Sequence, residues 1–438
     1  MSYCAIDFGT SNSAVAIPTD TGMRLVPLED EHLTMPTAVF YSTDPDDIPA
    51  QAHRATGQPG AELPRCFGRA AVQTYIEGYE GRLMRSMKSI LGGPLVHQTT
   101  DLGHGHGVRY IDVITSYLRQ LRHQAQTHGG QDLRHVVLGR PVFFVDDDAK
   151  RDAQAQASLQ AAAEAVGFTD VAFQFEPLAA AFDYEQQVEG EELVLVADIG
   201  GGTSDFSVVR VGRHRASRYD RRDDILANHG AHVAGTDFDR RVSLASVMPP
   251  LGHGGVGPSI GGQAPRPVPS RVYFDLATWH LINTVYQAPR VAELKSMGSF
   301  YADAQQFQRL MKVVDERLGH ALVGLSEQAK IDLSAHPEVR IDLGLVAPGL
   351  EATLTNDQAD QALHDDLERI AQCALETVRM AGLQPGDIHA LYFTGGSTGL
   401  QRLTRRLEMA FPQSRPMRGD RLASVATGLG LYAEHLFG

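Results

Sequence analysis

Cysteine is scarce in this chain, which holds three in 438 residues. Cys4, Cys66 and Cys373 lie far apart in the sequence, are odd in number and have no metal-ligand spacing. These features exclude a disulfide framework and a cysteine-based metal centre. Because unpaired thiols persist where the medium is reducing, the composition predicts a cytoplasmic protein.

Excess basic charge and long apolar runs are also missing. Lysine and arginine number 39 against 53 acidic residues, which gives a net charge of −14. This balance argues against nucleic acid or an anionic membrane surface as the main partner. The first residues lack the basic and apolar regions of a signal peptide, and no run reaches the roughly 18 apolar residues of a membrane span. We therefore expect no export signal, no membrane partner and no nucleic-acid partner.

The sequence contains no Gly-x-x-x-x-Gly-Lys-Ser/Thr run, which excludes a P-loop NTPase. A length of 438 residues exceeds what one compact core holds and predicts two large domains. Short apolar runs alternate along the chain with helical patterns, which is typical of an α/β fold.

Glycine, by contrast, is abundant and forms three notable turns. Residues 7–12 read DFGTSN and residues 198–205 read DIGGGTSD, and a short apolar run flanks each turn on both sides. An aspartate at a strand end, glycines that expose backbone N–H groups and a hydroxyl side chain suit a polyphosphate with its divalent cation. Residues 394–399 read TGGSTG and precede an expected helix, whose N-terminus attracts anions. The duplication predicts two lobes that hold one nucleotide.

The sequence also predicts individual elements around these turns. The apolar run at residues 193–197 predicts a strand that is buried on both faces and ends at Asp198. Residues 146–148 are expected to start a helix over residues 149–166. Pro177 suits the first turn of another helix.

Two segments of the second half differ in character. Residues 251–269 contain six glycines and four prolines, which predict an irregular loop. An apolar stripe over residues 313–333 predicts a helix. Glu327 and Lys330 are three residues apart on this stripe, and the simplest interpretation is a surface ion pair.

Five runs resemble the nucleotide motifs of DnaK-type seventy-kilodalton heat-shock proteins and follow the order of that family: residues 6–13, 176–181, 197–205, 232–239 and 395–398. Three further runs resemble the YegD-type branch of the family in particular: residues 67–71, 88–92 and 175–185. The resemblance covers essentially the whole chain. It implies the ATPase domain of the family, an α/β actin-like ATPase fold in which two lobes each contain a five-stranded mixed sheet with helices, built on a duplicated ribonuclease H-like core.

The same resemblance implies how the chain divides. Residues 1–184 would form lobe I of the nucleotide-binding domain. Residues 185–417 would form lobe II, with the glycine- and proline-rich insertion near residues 251–269. Residues 418–438 would form a closing helix that returns to lobe I.

A site for ATP or ADP with Mg²⁺ is implied in the cleft between these lobes. Asp7 and Asp198 would hold the water shell of Mg²⁺, with Glu176 on the opposite wall and Thr203 nearest to the γ-phosphate of ATP. These four residues form the expected catalytic set. Asp205 resembles a family position that binds a monovalent cation such as K⁺, although it would equally orient its turn. The other nucleotide-binding residues implied in this way are Gly9, Thr10, Ser11, Asn12, Gly200, Gly201, Gly202, Gly235, Glu327, Lys330, Ser334, Gly395, Gly396 and Ser397.

Three positions depart from the family pattern. The catalytic lysine of the family falls on Val72, while Ile331 and Gly399 replace arginines that stack on adenine. Loss of a cation aimed at the transferring phosphate typically costs on the order of a hundred- to a thousandfold in rate. We therefore expect slow or absent hydrolysis and weakened adenine binding.

Some residues leave alternatives open. Nearby cations could replace the missing lysine, but helical surface charge is the simpler interpretation of Arg82, Arg85 and Lys88. Histidines could bind a metal, although no cysteine or carboxylate is spaced to complete a tetrahedral set around His104, His106, His229 and His232. Pro141 resembles the family proline that relays nucleotide state to the client-binding domain.

No segment resembles the linker, β-sandwich or lid of the chaperones, so we expect a chaperone-like nucleotide-binding protein without its own substrate-binding domain. It would bind MgATP, hydrolyse it slowly and change the angle between its lobes for a partner. That partner would be a co-chaperone or a separate client-binding protein. Two alternatives share the fold, a small-molecule kinase of the sugar-kinase type and an actin-like filament protein. Fold similarity alone does not choose among these functions.

Overall fold

The computed structural model describes every residue except 1, 21, 45–62, 104, 130–131, 146–147, 186–187, 216–217, 219–220, 260–263 and 420–423. The described residues form eighteen strands and fourteen α-helices. The strands are β1 (Tyr3–Phe8), β2 (Asn12–Thr19), β3 (Gly22–Leu25), β4 (Thr34–Pro36), β5 (Ala38–Ser42), β6 (Arg65–Phe67), β7 (Gly81–Arg85), β8 (Thr99–Gly103), β9 (His106–Arg109), β10 (His135–Arg140), β11 (Asp170–Phe175), β12 (Glu192–Ile199), β13 (Ser204–Val211), β14 (Ile225–Ala231), β15 (Glu338–Asp342), β16 (Glu351–Thr355), β17 (Ala390–Thr394) and β18 (Arg415–Arg418). The helices are α1 (Gly68–Glu77), α2 (Tyr110–Gly129), α3 (Ala149–Ala165), α4 (Glu176–Ala180), α5 (Phe182–Glu185), α6 (Gly235–Val242), α7 (Arg271–Ala277), α8 (Ile282–Val285), α9 (Ala288–Lys295), α10 (Ala304–Asp315), α11 (Gly319–Asp332), α12 (Asn356–Met380), α13 (Gln401–Ala410) and α14 (Ser424–Phe437).

The first large sheet has the strand order β11-β10-β1-β2-β3, and β4 pairs with β2 as a sixth strand. β1 runs parallel to β10 and antiparallel to β2, and this register places Asp7 opposite Ala14. The sheet has one strand more than the five expected. The extra strand is β4, which is antiparallel to β2 and pairs with its residues 12–14.

The second large sheet repeats this arrangement in the order β14-β13-β12-β17-β18. β12 takes the place of β1, since it is antiparallel to β13 and parallel to β17. β17 and β18 are parallel, as β10 and β11 are in the first sheet. Asp198 therefore lies near the carboxyl end of β12, just as Asp7 lies near that of β1. The duplicated glycine turns sit at equivalent places in two equivalent sheets.

Helices bury the faces of both sheets. α14 packs on β1, β2 and β10 of the first sheet and on α4. A Cβ atom at Gly428 would lie 1.9 Å from the carbonyl oxygen of Ala179, so a glycine is needed where α14 contacts α4. α12 covers β13 and β14 of the second sheet. The lobe bounds at residues 184 and 417 stay predictions.

Most of the predicted helices and strands are present, but the single helix predicted over residues 313–333 is wrong. α3 begins at a cap in which the Asp148 side chain accepts a hydrogen bond from Arg151 N at 3.0 Å, while Asp146 lies outside the described residues. The stripe over residues 313–333 is divided between α10 and α11, because Arg317 adopts a left-handed φ of 56° that no α-helix accommodates. Of the loop predicted at residues 251–269, Leu251 ends a 3-10 turn that begins at Pro249. The described part of residues 252–269 contains neither helix nor strand, only an isolated bridge between Val256 and Pro267.

The three cysteines are all buried, and none of them forms a disulfide. None of the helices in the described part of the chain is long and apolar enough to cross a membrane.

Candidate functional site

A cavity of about 1320 Å³ lies between the two sheets. The glycine turns at the ends of β1, β12 and β17 open into it, together with the N-terminus of α4 and one face of α11. The structure brings every residue of the expected site to its wall: Asp7, Gly9, Thr10, Ser11, Asn12, Glu176, Asp198, Gly200, Gly201, Gly202, Thr203, Asp205, Gly235, Glu327, Lys330, Ser334, Gly395, Gly396 and Ser397.

The two duplicated turns face each other across this cleft. A Cβ atom at Gly201 would lie 3.0 Å from the Ser11 hydroxyl oxygen, so the turn after β12 approaches the turn after β1 closely. The second turn is closed by a hydrogen bond from Gly200 N to the Thr203 carbonyl oxygen at 3.0 Å. The two turns therefore approach each other closely enough to contact one anionic group held between them.

The third turn is fixed to the second by hydrogen bonds. The Ser397 hydroxyl donates to the carbonyl oxygen of Gly200 at 2.6 Å, and Gly235 N donates to the same oxygen at 3.2 Å. Gly395 has a φ of 84°, and a Cβ atom there would lie 2.7 Å from Asp198 Oδ1. Only glycine fits at that position, because any side chain would meet the buried carboxylate.

Four carboxylates crowd the floor of the cleft. Burial, followed by the charge of the neighbouring Glu176 carboxylate, raises the pKa of Asp7 to about 8. Burial, followed by the charges of Asp205 and Glu176, raises the pKa of Asp198 to about 7. The pKa of Asp205 is also raised by burial, although its Oδ2 accepts a hydrogen bond from the Thr203 hydroxyl at 2.8 Å. Such a group of carboxylates attracts a cation.

Lys88 supplies one positive charge to this group, and its interpretation as helical surface charge is wrong. The residue lies in a 3-10 turn, Met87–Ile90, and only 8% of its side chain is exposed. Its ammonium group donates a hydrogen bond to Glu176 Oε1. Burial alone would lower the pKa of Lys88, but the carboxylates of Glu176 and Asp7 outweigh burial and raise it. The cleft therefore contains a charged lysine.

The other three positions discussed with Lys88 differ from one another. Val72 lines the same cleft and brings no charge to it. Arg85 also lines the cleft, from β7, with its guanidinium 4.4 Å from the ring centroid of Trp279. Arg82 is exposed and donates to the Asp101 carbonyl oxygen at 2.7 Å. Both arginines lie on β7, so the helical part of that interpretation is wrong for Arg82 and Arg85, although both residues are exposed.

The wall built by α11 holds the other expected residues. Lys330 donates a hydrogen bond to Asp239 Oδ1 at 2.6 Å, so the surface ion pair expected with Glu327 is replaced by a part-buried pair with α6. Burial raises the pKa of Asp239, and the charge of Lys330 offsets part of that rise. Ile331 lines the cleft with 53% of its surface exposed, and Gly399 lines it as well.

The residues present fit a hydrated divalent cation. Asp7, Glu176, Asp198 and Asp205 bring four carboxylates against the one ammonium group of Lys88. Mg²⁺ keeps several of its waters and takes few direct protein ligands, so carboxylates around a roomy cavity suit it. Among the described residues there is no group of three or more His, Cys, Asp or Glu side chains that could hold a metal directly. His104 lies outside the described residues.

Comparison with known proteins identifies the family to which this chain belongs. The family model described as Hsp70 protein matches residues 3–245, which is more than half of the chain. The chain belongs to the Hsp70 family. This membership confirms the actin-like ATPase fold. The YegD-type branch stays a prediction.

Curated relatives of this Hsp70-family chain include chaperones from several bacteria. It is 25% identical over 413 residues to the chaperone protein DnaK of Deinococcus radiodurans, covering 91% of this chain and 54% of that protein. It is 24% identical over 442 residues to the chaperone protein DnaK of Thermosipho melanesiensis, covering 99% of this chain and 59% of that protein. The chain thus spans a little more than half the length of the relatives it matches.

Proposed function

We propose that this Hsp70-family chain binds ATP with Mg²⁺ in the cleft and hydrolyses it slowly or under the control of a partner. The observation that carries the proposal is the position of Lys88 opposite the three glycine turns, among four carboxylates. Because Lys88 provides the positive charge that Val72 lacks, the expectation that hydrolysis is absent loses its basis. The partner would be a co-chaperone or a separate client-binding protein, as expected from the resemblance.

The position of each group in the cleft suggests its role in ATP hydrolysis. Phosphoryl transfer depends mainly on positioning and on stabilisation of charge. The backbone N–H groups of the facing turns would hold the phosphates, with the Thr203 hydroxyl beside the one to be transferred. Lys88 would neutralise charge on that phosphate, and Glu176 keeps the ammonium group in position.

The carboxylates of the cleft suggest where the cations would bind. Mg²⁺ would offset phosphate charge, with its water shell held by Asp7 and Asp198. Asp205 is the proposed ligand of a monovalent cation such as K⁺, on the far side of the Thr203 turn. Glu327 and Lys330 on α11 and Ser334 in the turn after it would face the ribose and base, opposite Gly395, Gly396 and Ser397.

Substitution of Asp198 by asparagine, or of Thr203 by alanine, should impair nucleotide handling and leave the fold intact. Asp198→Asn removes a carboxylate from the cation site, so MgATP should bind more weakly. Thr203→Ala removes the hydroxyl beside the transferred phosphate, so hydrolysis should slow more than binding weakens. Single-turnover assays with excess protein and γ-labelled MgATP would follow binding and cleavage separately. Unchanged binding and cleavage in both variants would contradict the site.

Substitution of Ile331 by arginine should tighten ADP binding by roughly tenfold, because a guanidinium stacked on a base contributes on the order of 1–2 kcal/mol. Ile331 is half-exposed in the cleft, so a longer side chain has room there. Equilibrium titration with ADP would measure the change. Ile331→Lys is the matched control, since it adds the charge without the planar group. Equal gains in both variants would show that charge, and not stacking, is responsible.

A further inference from the structure

A cluster of rings joins the two halves of the chain beside the cleft. Tyr75 on α1 contacts Trp279, with ring centroids 5.3 Å apart, and His320 on α11, at 5.5 Å. Trp279 and His320 are themselves 5.4 Å apart. Arg85 on β7 covers the outer face of Trp279. We call these four residues, together with Asn283 on α8, the seam.

Hydrogen bonds fix the proton on the seam histidine. The Asn283 side chain hydrogen-bonds the Tyr75 hydroxyl, and its Oδ1 lies 3.0 Å from His320 Nε2. An amide oxygen only accepts, so Nε2 carries the hydrogen and Nδ1 holds a lone pair. Nδ1 is buried and has no hydrogen-bond partner among the described residues. The seam therefore accommodates a neutral imidazole.

A second proton on His320 would not fit the closed seam. The new N–H at Nδ1 would be buried without an acceptor among the described residues, which leaves a buried charge unsatisfied. His320 is also the second residue of α11, and a cation is unfavourable at a helix N-terminus.

The charged groups around the seam offer no compensation. Arg317 in the preceding turn and Arg85 beyond Trp279 are both cations. Glu327 on α11 acts on Arg85, and Asp275 on α7 is paired with Arg271 and Arg290. Just after α8, the Tyr286 hydroxyl accepts a hydrogen bond from Gly319 N at 2.8 Å. Burial lowers the pKa of His320 from its ordinary 6.5 to about 4.

We propose that the seam is an acid-sensitive latch between the lobes, which protonation of His320 opens and which thereby speeds nucleotide exchange. The part concerning exchange rests on the proposed function. Opening the seam exposes Nδ1 to water, where the imidazole takes up a proton as an ordinary histidine does. Protonation of His320 is thus coupled to opening of the seam. As the pH falls from about 7.5 to about 5.5, this coupling raises the ratio of open to closed seam about tenfold.

The first test needs no nucleotide. Trp279 is the only tryptophan of the chain, so its fluorescence reports on the seam alone. Acrylamide quenching of the nucleotide-free protein should increase severalfold as the pH falls from about 7.5 to about 5.5. His320→Gln should abolish this increase, whereas His280→Gln, at an exposed neighbouring histidine, should keep it. Quenching that ignores pH in the wild type, or an unchanged acid response in His320→Gln, would overturn the latch.

The second test measures exchange. Release of a fluorescent ADP analogue should be about tenfold faster at about pH 5.5 than at about pH 7.5 in the wild type, and independent of pH in His320→Gln. A pH-independent rate in the wild type would overturn the link to exchange. Failure to bind nucleotide at either pH would contradict only the proposed function, because the quenching test does not use nucleotide.

A second variant covers the case in which His320→Gln does not fold, as judged by circular dichroism. Asn283→Asp places a carboxylate beside His320 Nε2, which favours the protonated imidazole. In the closed seam this carboxylate reduces the cost of protonating His320, so the acid response of Trp279 quenching should be smaller than in the wild type. An equal or larger response would overturn the latch.

Discussion

Substitution of Lys88 by methionine should slow single-turnover ATP hydrolysis by roughly a hundred- to a thousandfold, while nucleotide still binds. Methionine keeps the length of the side chain and removes its charge. The ammonium group is the cation that contacts Glu176, and it acts on Asp7 and Asp198 as well. The backbone N–H groups of the glycine turns do not change, so the phosphates keep most of their contacts.

Two control variants separate this role from general effects of charge. Arg82→Met removes an exposed cation six residues earlier, and it should leave the rate unchanged. Val72→Lys restores a lysine where the family pattern suggested one, and in the presence of Lys88 it should not raise the rate. Rapid-quench measurement of γ-phosphate release would report all three variants. A wild-type rate in Lys88→Met, or a large gain in Val72→Lys, would show that Lys88 is not the relevant cation.

The fold was predictable because its signals are local and duplicated. Each of the two duplicated turns is a short run in which an apolar strand, an aspartate and glycine follow one another closely. The order of the motifs along the chain then indicated the family. The division between α10 and α11 gave no such signal, because the residue in the left-handed conformation is Arg317 and not a glycine.

The electrostatic contacts of the site were less predictable because they join distant parts of the chain. Lys88 and Glu176 are 88 residues apart, and Lys330 and Asp239 are 91 residues apart. Spacing within one helix suggested a pair between Lys330 and Glu327, whereas packing of α11 on α6 decided the pairing. The run over residues 88–92 was noticed as a family feature, but only the pairing of β7 with β5 and the turn that follows it bring Lys88 into the cleft.

Substitution of Asp7 by asparagine should stabilise the nucleotide-free protein at neutral pH and weaken its binding of MgATP. The folded protein holds the proton of Asp7 more tightly than the unfolded chain does, because the pKa of this carboxyl is about 8 in the fold against an ordinary 3.8. The contribution of Asp7 to stability is therefore fully present below about pH 4 and is lost as the pH rises towards about 8. Asparagine cannot ionise, so the variant should not lose stability in this way as the pH rises. The loss avoided is on the order of a few kcal/mol in the free energy of unfolding.

Thermal unfolding at about pH 5.5 and about pH 8, with EDTA or with Mg²⁺, would test this prediction. In EDTA the wild type should lose stability between the two pH values, and Asp7→Asn should lose much less. Asp112→Asn is the control, because its carboxylate is exposed and pairs with Arg109 at the surface. It should follow the wild type at both pH values.

Addition of Mg²⁺ should stabilise the wild type most at the higher pH, since a bound cation takes the place of the proton. The Asp7→Asn variant should gain little from the metal. A variant less stable than the wild type in EDTA at about pH 8, or equal gains from Mg²⁺ in both proteins, would contradict the assignment of Asp7 to the cation site. These results would show that the charge of Asp7 lowers stability until a cation binds. A carboxylate that served folding alone would be paired with a positive charge, or an uncharged residue would stand in its place.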